Sequence, residues 1–455
     1  MYNQTKHIFS FSKLALIGIS LFCFSFCYFF VNWRYHSTPF HDDVNQYYSY
    51  IIALFKKNDL LFNYNNYGFW LFDSPSHHLV PKVTYGMSIF YLPFFLVANF
   101  FSSASSTGYE AVFSWFIHIG CMSYSLIGLV YSRKILLRWF NEKITALSLL
   151  IIFFGSNFFC YTLVQPELTH SVLFMLNSIF IYYVIHWFLN SNKSAFFIIC
   201  FLLGLITLIR PTEIILIVFP LLIGVSSIQE LKNRLLSFFK MPLVVLLGFG
   251  LFIIPIIPQL IYWKIQTGSW LYFSYGNDER FFWTNPEIIN VLFSYRKGWL
   301  VYSPLMTITV IGFVFLYKKN KALFYPIIFY FAINLYFISS WWDWGFGGAF
   351  GMRSLVQILA VLIIPLACFM QWFLTCSKRV AWHFSGLALI TFFCFLNIFQ
   401  TNLYKHGIIH YDGMTKEAYW FTFLKKNYTP SDLTYLKSLI KEPNYSEMRK
   451  GIRDE

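Results

Sequence analysis

Apolar and polar residues alternate along this chain on the scale of whole helices. Apolar stretches cover residues 14–33, 111–132, 144–162, 171–189, 195–209, 212–227, 241–263, 300–317, 322–340, 354–375 and 380–400, separated by short polar or basic breaks. A helix needs about 20 apolar residues to cross ~30 Å of hydrocarbon, so these runs predict about eleven transmembrane helices. The period-two alternation of a membrane barrel is missing from runs such as residues 243–261. One further stretch, 85–101, is shorter, contains Pro93 and follows a long polar segment. The expected class is an all-α polytopic membrane protein.

The status of 85–101 decides the topology. If it crossed, the clusters Arg133/Lys134/Arg138/Lys143, Lys232/Arg234/Lys240, Lys318/Lys319/Lys321 and Lys378/Arg379 would face outward, against the positive-inside rule. If it lies in the outer interface, those clusters, with Lys193, Lys6 and Lys13, all fall in the cytoplasm. Residues 34–110, 163–170, 210–211, 264–299, 341–353 and 401–455 are then extracytoplasmic. The resulting partition is a membrane module over 1–400, whose first outer loop, 34–110, carries interfacial helices, and an outer tail over 401–455. Pro211 is expected to break 195–227, with Arg210 at the turn. Ser431 is the expected N-cap of a short tail helix ending before Pro443. No small-residue cleavage site follows the first apolar run, which is expected to stay as an uncleaved span.

Composition agrees with a lipid-facing protein: 57% hydrophobic, 22% aromatic and 12% charged residues do not cover a water-facing surface. The net charge of +14 is scattered over short loops, which argues for membrane topology and against nucleic acid as a partner. All eight cysteines (Cys23, Cys27, Cys121, Cys160, Cys200, Cys368, Cys376, Cys394) lie in or beside apolar runs and read as small hydrophobes. Cys23 and Cys27 share a helix face, where a redox pair is conceivable, but the apolar setting favours packing. His77 and His78 near Asp73 make a sparse metal-like set that reads better as a solvated loop. No cofactor is assigned with certainty, and help from a divalent metal stays open.

The expected depth of the charges carries the functional argument. Asp42, Asp43, His77, His78, Lys82, Glu167, His170, Arg210, Glu213, Arg280, Arg296, Lys297, Asp343 and Arg353 gather at the outer ends of spans or in outer loops. The bilayer midplane, where transporters place their sites, is nearly empty of charge. Such a pattern suits a substrate whose own charge sits at headgroup level, such as a lipid phosphate.

His41-Asp42-Asp43-Val44-Asn45-Gln46-Tyr47 leads into an amphipathic stretch soon after the first span. Either aspartate can be an ordinary N-cap of an interfacial helix, or a general base held over the membrane surface. Here the chain resembles the GT-C glycosyltransferases, of the protein O-mannosyltransferase and lipid A aminoarabinose transferase type. Asp42-Asp43 with Tyr47 looks like the acidic element of that family. Lys82-Val83-Thr84-Tyr85-Gly86 looks like its lysine segment, although the family's double proline is missing. Gln165-Pro166-Glu167-Leu168-Thr169-His170 is similar to its second acidic position, and Arg210-Pro211-Thr212 to its Arg-Pro turn. The match runs over about residues 10–225; beyond them it is one of general character, without the family's large soluble C-terminal domain.

The resemblance implies a GT-C-like membrane fold with Asp43, Asp42 or Glu167 as catalytic acids and Lys82, Arg210 and Arg353 on the donor phosphate. Asp43 is preferred because its four-residue spacing to Tyr47 matches the family better. The implied reaction is inverting transfer of a sugar from a polyprenyl-phosphate donor to an extracytoplasmic lipid, glycan or protein acceptor at a bacterial inner membrane. The chemistry asks for the same groups: a base for the acceptor hydroxyl and cations for the departing phosphate. Tyr47, His170, Trp342, Asp343 and Arg296 complete the candidate substrate site. The segment 341–353 reads either as an aromatic belt with a turn or as indoles that stack on sugar while Arg353 grips phosphate. Tyr295-Arg296-Lys297-Gly298-Trp299 reads as a headgroup anchor or a donor guide. His170 is a helix-start residue or an acceptor group, and His118 a hydrogen-bonded packing residue. A lipid-linked oligosaccharide flippase predicts inverted repeats and midplane polar sites, which are not seen. An O-antigen-type polymerase with a pyrophosphate-linked donor is hardly separated from the transferase by sequence.

Overall fold

A computed structural model of the chain describes residues 10–30, 40, 42–62, 71–276 and 278–452; Lys6, His41 and residues 63–70 lie outside them. Helices account for nearly all of the regular structure. In chain order they are α1 (Phe11–Phe30), α2 (Asp42–Ile52), α3 (Gly86–Phe100), α4 (Ala111–Leu136), α5 (Glu142–Phe154), α6 (Phe158–Leu163) and α7 (Thr169–Asn190). Next come α8 (Lys193–Ile209), α9 (Val218–Leu222), α10 (Ile228–Phe239), α11 (Pro242–Ile253), α12 (Ile257–Thr267), α13 (Ile288–Phe293) and α14 (Trp299–Tyr302). The last are α15 (Met306–Lys319), α16 (Lys321–Ser340), α17 (Leu359–Thr375), α18 (Val380–Lys405), α19 (Lys416–Thr422), α20 (Pro430–Leu439) and α21 (Tyr445–Arg449). A two-stranded ribbon, β1 (Phe72–Asp73) and β2 (Leu79–Val80), pairs Phe72 with Val80 in antiparallel register.

Among the described residues the apolar runs fall largely on helices, and the chain is a multi-pass membrane protein. Five helices are long and apolar enough to cross as single rods: Phe11–Phe29 of α1, then α4, α7, α16 and α18. The other runs are broken, and the breaks have local causes. Pro211 interrupts α8 and leads into a 3-10 turn over Pro211–Ile217, Pro255 separates α11 from α12, and Pro304 separates α14 from α15. Helix α3, with 15 residues, is about 22 Å long, short of the ~30 Å core. Helix α10 buries none of its residues and meets α11 at 87°.

Short polar side chains open several helices. Asn141, Asn192, Ser227 and Asn320 each accept a backbone N–H from the first turn of α5, α8, α10 and α16. In α20 the cap is Thr429, not Ser431. Thr429 and Asp432 form a reciprocal capping box around Pro430, which leaves Ser431 inside the first turn. Pro at the first helical position needs no N–H partner, which moves the cap back to Thr429.

The chain divides into two compact units. The first comprises Met1–Ile19, Ser132–Val164 and Asn277–Glu455. Its centre is α17, buried from Leu359 to Cys368. Gly312 of α15 lies so close to α17 that a Cβ there would meet the Pro365 carbonyl oxygen at 2.1 Å. Glu142 ties three chain segments of this unit together, accepting from Ser10 Oγ (2.7 Å), Ser12 N (3.1 Å) and Arg133 Nη2 (3.2 Å). The second unit comprises Ser20–Tyr131 and Gln165–Gly276. Gly204 of α8 makes the matching close approach there, its would-be Cβ 2.1 Å from the Phe252 carbonyl oxygen of α11. Small residues at such crossings let helix backbones touch, the main source of association between helices in lipid.

Candidate active site

In the second unit, Asp42 and Asp43 are the first two residues of α2, where the helix dipole favours anions. They are not equivalent. Asp42 is exposed with φ at +44°, whereas Asp43 is half-buried on the inward side of the turn. One turn along, Gln46 is buried and its Oε1 accepts the backbone N–H of Lys82 at 2.9 Å. The lysine segment is thereby fastened to the helix that carries the aspartates. The Lys82 ammonium lies 4.7 Å from the ring centroid of Tyr275 and 5.6 Å from that of Phe72.

The same segment reaches Arg210. The Thr84 hydroxyl donates to the Leu208 carbonyl, and the Tyr85 N–H to Gln259 Oε1 at 3.0 Å. Gly86 rests on Ile209 so tightly that a Cβ would meet that residue's backbone at 2.8 Å. Arg210 follows in extended conformation (φ −144°, ψ 104°) and caps α8, its carbonyl accepting the N–H of the buried Glu213 at 2.9 Å. Lys82 and Arg210, 128 positions apart in the numbering of the chain, therefore flank one backbone junction.

Glu167 enters from the turn between α6 and α7. It is buried, and its Oε1 lies 2.6 Å from His118 Nδ1. Its backbone carbonyl accepts the hydroxyl of Tyr91, a fully buried residue of α3. Ser88, on the same helix, donates to the Tyr47 carbonyl. Helix α3 thus ties the Glu167 turn to the Tyr47 backbone of α2. His170, buried in the first turn of α7, occupies the helix start.

In the first unit, residues of the 341–353 segment surround a buried ionic cluster. Arg296 Nη2 lies 2.9 Å from Asp412 Oδ1 and 3.7 Å from Asp343 Oδ1, and its guanidinium stacks 5.1 Å from Trp344. Lys297 is fully buried, and its Nζ donates to the Ala349 carbonyl at 2.7 Å and to the Tyr411 carbonyl. Burial pushes the Lys297 ammonium down to a pKa of about 7, with Arg296 and Arg353 adding to the effect against Asp412 and Asp343. Burial likewise raises the Asp343 carboxyl above its ordinary value despite Arg296. For Asp412 burial also acts upward, but Arg296 and Lys297 outweigh it and hold the carboxyl below the usual range. Arg353 opens a 3-10 turn, next to a loop pinned by Asn157 Nδ2 on the Met352 carbonyl (3.0 Å) and by the Phe350 N–H on the Tyr161 hydroxyl (2.9 Å).

The candidates therefore fall into two sets: Asp42, Asp43, Tyr47, Lys82, Glu167, His170 and Arg210 in the second unit, and Arg296, Trp342, Asp343 and Arg353 in the first. Four partners had no sequence signal pointing to this chemistry. Tyr91 and His118 sit inside apolar runs, and Asp412 and Tyr445 in the polar tail. His77 and His78 lie in the loop of the β1–β2 ribbon. Among the described residues no group of three or more His, Cys, Asp and Glu side chains is arranged to hold a metal ion.

No family model matches the chain, and no curated protein does. Solved structures do. The apo crystal structure of ArnT from Cupriavidus metallidurans superposes with a TM-score of 0.51 at 12% identity, covering 97% of this chain and 76% of that one. The apo oligosaccharyltransferase of Archaeoglobus fulgidus gives 0.49 at 11% identity, over 96% of this chain and 60% of that one. At such identities the likeness concerns the fold alone, which is similar to that of ArnT.

Proposed function

We propose that the protein is an inverting glycosyltransferase that moves a sugar from a polyprenyl-phosphate donor to a lipid, glycan or protein acceptor on the extracytoplasmic face of a bacterial inner membrane. The observation that carries this reading is the fastening of the Lys82 segment both to α2, which opens on Asp42 and Asp43, and to the Arg210 turn. It puts a carboxylate and two cations on neighbouring backbone.

Asp43 is the base, because it is half-buried, whereas Asp42 is exposed with a left-handed backbone. The Asp43 carboxylate takes the acceptor hydroxyl proton while the acceptor oxygen bonds to the anomeric carbon. The bond from that carbon to the phosphate oxygen breaks, and its electron pair leaves on the lipid phosphate. In-line displacement inverts the anomeric centre and needs no covalent sugar intermediate. Lys82 and Arg210 stabilise the departing phosphate, lysine as a point charge and arginine through its planar fork.

The test is transfer of labelled sugar from a polyprenyl-phosphate donor in proteoliposomes. Asp43→Asn should insert normally and lose turnover by at least the ~100-fold typical of a lost general base. Full turnover in that variant would remove Asp43 from the mechanism.

A further inference from the structure

Helix α10 runs at 87° to α11, and none of its residues is buried among the described residues. At 3.6 residues per turn its side chains divide into three arcs. Leu231, Arg234 and Phe238 are half-buried against the rest of the second unit. Arg234 donates to the Pro220 and Ile223 carbonyls, both at 3.0 Å, and the Phe238 ring lies 6.4 Å from Trp187 and 6.2 Å from Phe196. Gln229, Glu230 and Asn233 form an exposed polar arc, in which Glu230 also accepts the Ser226 N–H at 2.6 Å. Ile228, Leu235, Leu236 and Phe239 make the third arc. All four are exposed, Ile228 at 70% and Phe239 at 80%, although apolar surface of this kind is driven out of water.

What covers that arc follows from its neighbour. In α11 only Gly248 is buried, while Leu243, Leu246, Leu247 and Phe249 are exposed, so in a multi-pass membrane protein this helix presents its face to hydrocarbon. The α10 arc runs into the same face through the exposed Phe239 and Met241. Two helices at a right angle cannot both follow the membrane normal. Glu230, Lys232 and Arg234 make α10 the costly one to immerse, whereas α11 carries no charge. Helix α10 therefore lies in the membrane plane, with protein on one side, water on another and lipid beneath. Lys232, in the middle of the apolar arc, and Lys240, just past the last turn, are both exposed. A lysine there rests its methylenes on apolar surface and lifts its ammonium to headgroup level. We infer that α10 is an interfacial helix that binds anionic phospholipids: the arc of Ile228, Leu235, Leu236 and Phe239 meets the acyl chains, and Lys232 and Lys240 meet the headgroup phosphates. The inference is independent of the transferase reading and uses none of its residues.

The experiment places the photoreactive residue benzoylphenylalanine at Leu236, Ile228 or Asn233 of the full chain, reconstituted in vesicles of three parts phosphatidylethanolamine to one part phosphatidylglycerol. After irradiation, mass spectrometry identifies what each position has captured. Leu236 and Ile228 should yield phospholipid adducts, and Asn233, on the polar arc, few. Among the adducts phosphatidylglycerol should exceed its bulk share by about 5-fold, the scale of a basic residue beside an anionic lipid surface. With Lys232→Gln and Lys240→Gln together, that excess should vanish while the total yield at Leu236 stays the same. Equal lipid yields at Leu236 and Asn233 would overturn the in-plane seat, as would capture of a second copy of the chain in place of lipid. A phosphatidylglycerol share equal to bulk in the protein with both lysines, or an excess that survives their replacement, would overturn the headgroup contact. Should the Leu236 variant fail to insert, Ile228 against Asn233 gives the same comparison.

Discussion

The guanidinium of Arg296 and the carboxylate of Asp412 meet at 2.9 Å across 116 residues of chain, with both side chains buried. Tyr445 donates to the same carboxylate, and Arg449 stacks 5.0 Å from Trp342. The polar C-terminal stretch is therefore joined to the tryptophan segment through charge. Removing one member of a buried ion pair leaves the other uncompensated, at a cost of about 3–5 kcal/mol. Asp412→Ala should lower thermal stability by that order and speed proteolysis between α18 and α19. A variant as resistant as wild type would show that the pair is not holding the segment.

The same cluster makes stability depend on pH, and at both of its ends stability rises with pH, in two separate windows. The Asp412 value is depressed in the fold, so its contribution is complete above the unfolded carboxylate value of about 3.9 and is lost as pH falls through the folded one. Lys297 binds its proton in the fold only up to about 7, but in the unfolded chain up to about 10.4. Between those values the unfolded state holds more protons, and the contribution rises with pH. A pH series of unfolding midpoints should therefore climb from about 7 towards 10, and Lys297→Met should flatten that climb. A flat wild-type series over the same range would count against it.

The helix crossings give a prediction free of charge effects. Alanine at Gly204 or Gly312 would drive a Cβ to 2.1 Å from a carbonyl oxygen of the neighbouring helix, where a backbone must shift. Overpacking of this kind costs typically about 1–3 kcal/mol. Gly250, on α11, has nothing within 4 Å of its would-be Cβ, and alanine there should be neutral or better. Midpoints of thermal unfolding in detergent should separate the two groups, and a Gly250→Ala loss equal to the others would refute the packing argument.

What could be read in advance follows the range of the interaction. The apolar runs, the break at Arg210–Pro211 and the short α3 are local properties of composition and proline, and they appear as expected. The assignment of the cap to Ser431 missed by two residues because Pro430 permits an earlier helix start. His118 and Tyr91 carry no local sign of chemistry: each looks like one more residue of an apolar helix until Glu167 is brought beside it. Asp412 was invisible for the same reason, since nothing around it in sequence announces Arg296. Long-range pairing of single polar residues leaves no periodicity to detect.

If Lys82 and Arg210 hold the donor phosphate, they should fail in a particular way. A hydrogen bond to a charged group contributes about 1.5–3 kcal/mol, which corresponds to about 10–100-fold in donor affinity. Lys82→Gln and Arg210→Gln should each raise the donor KM on that scale while the acceptor KM stays near wild type. Arg210→Lys should recover less than expected for a conservative change, because an ammonium does not reproduce the planar fork. Lys82→Arg is the counterpart at a point-charge position and should be tolerated better, provided the longer side chain clears Tyr275 and Phe72. Titrations of donor and acceptor on the four variants in proteoliposomes would decide the matter. Donor affinity unchanged in both glutamine variants would exclude these two residues as the phosphate clamp.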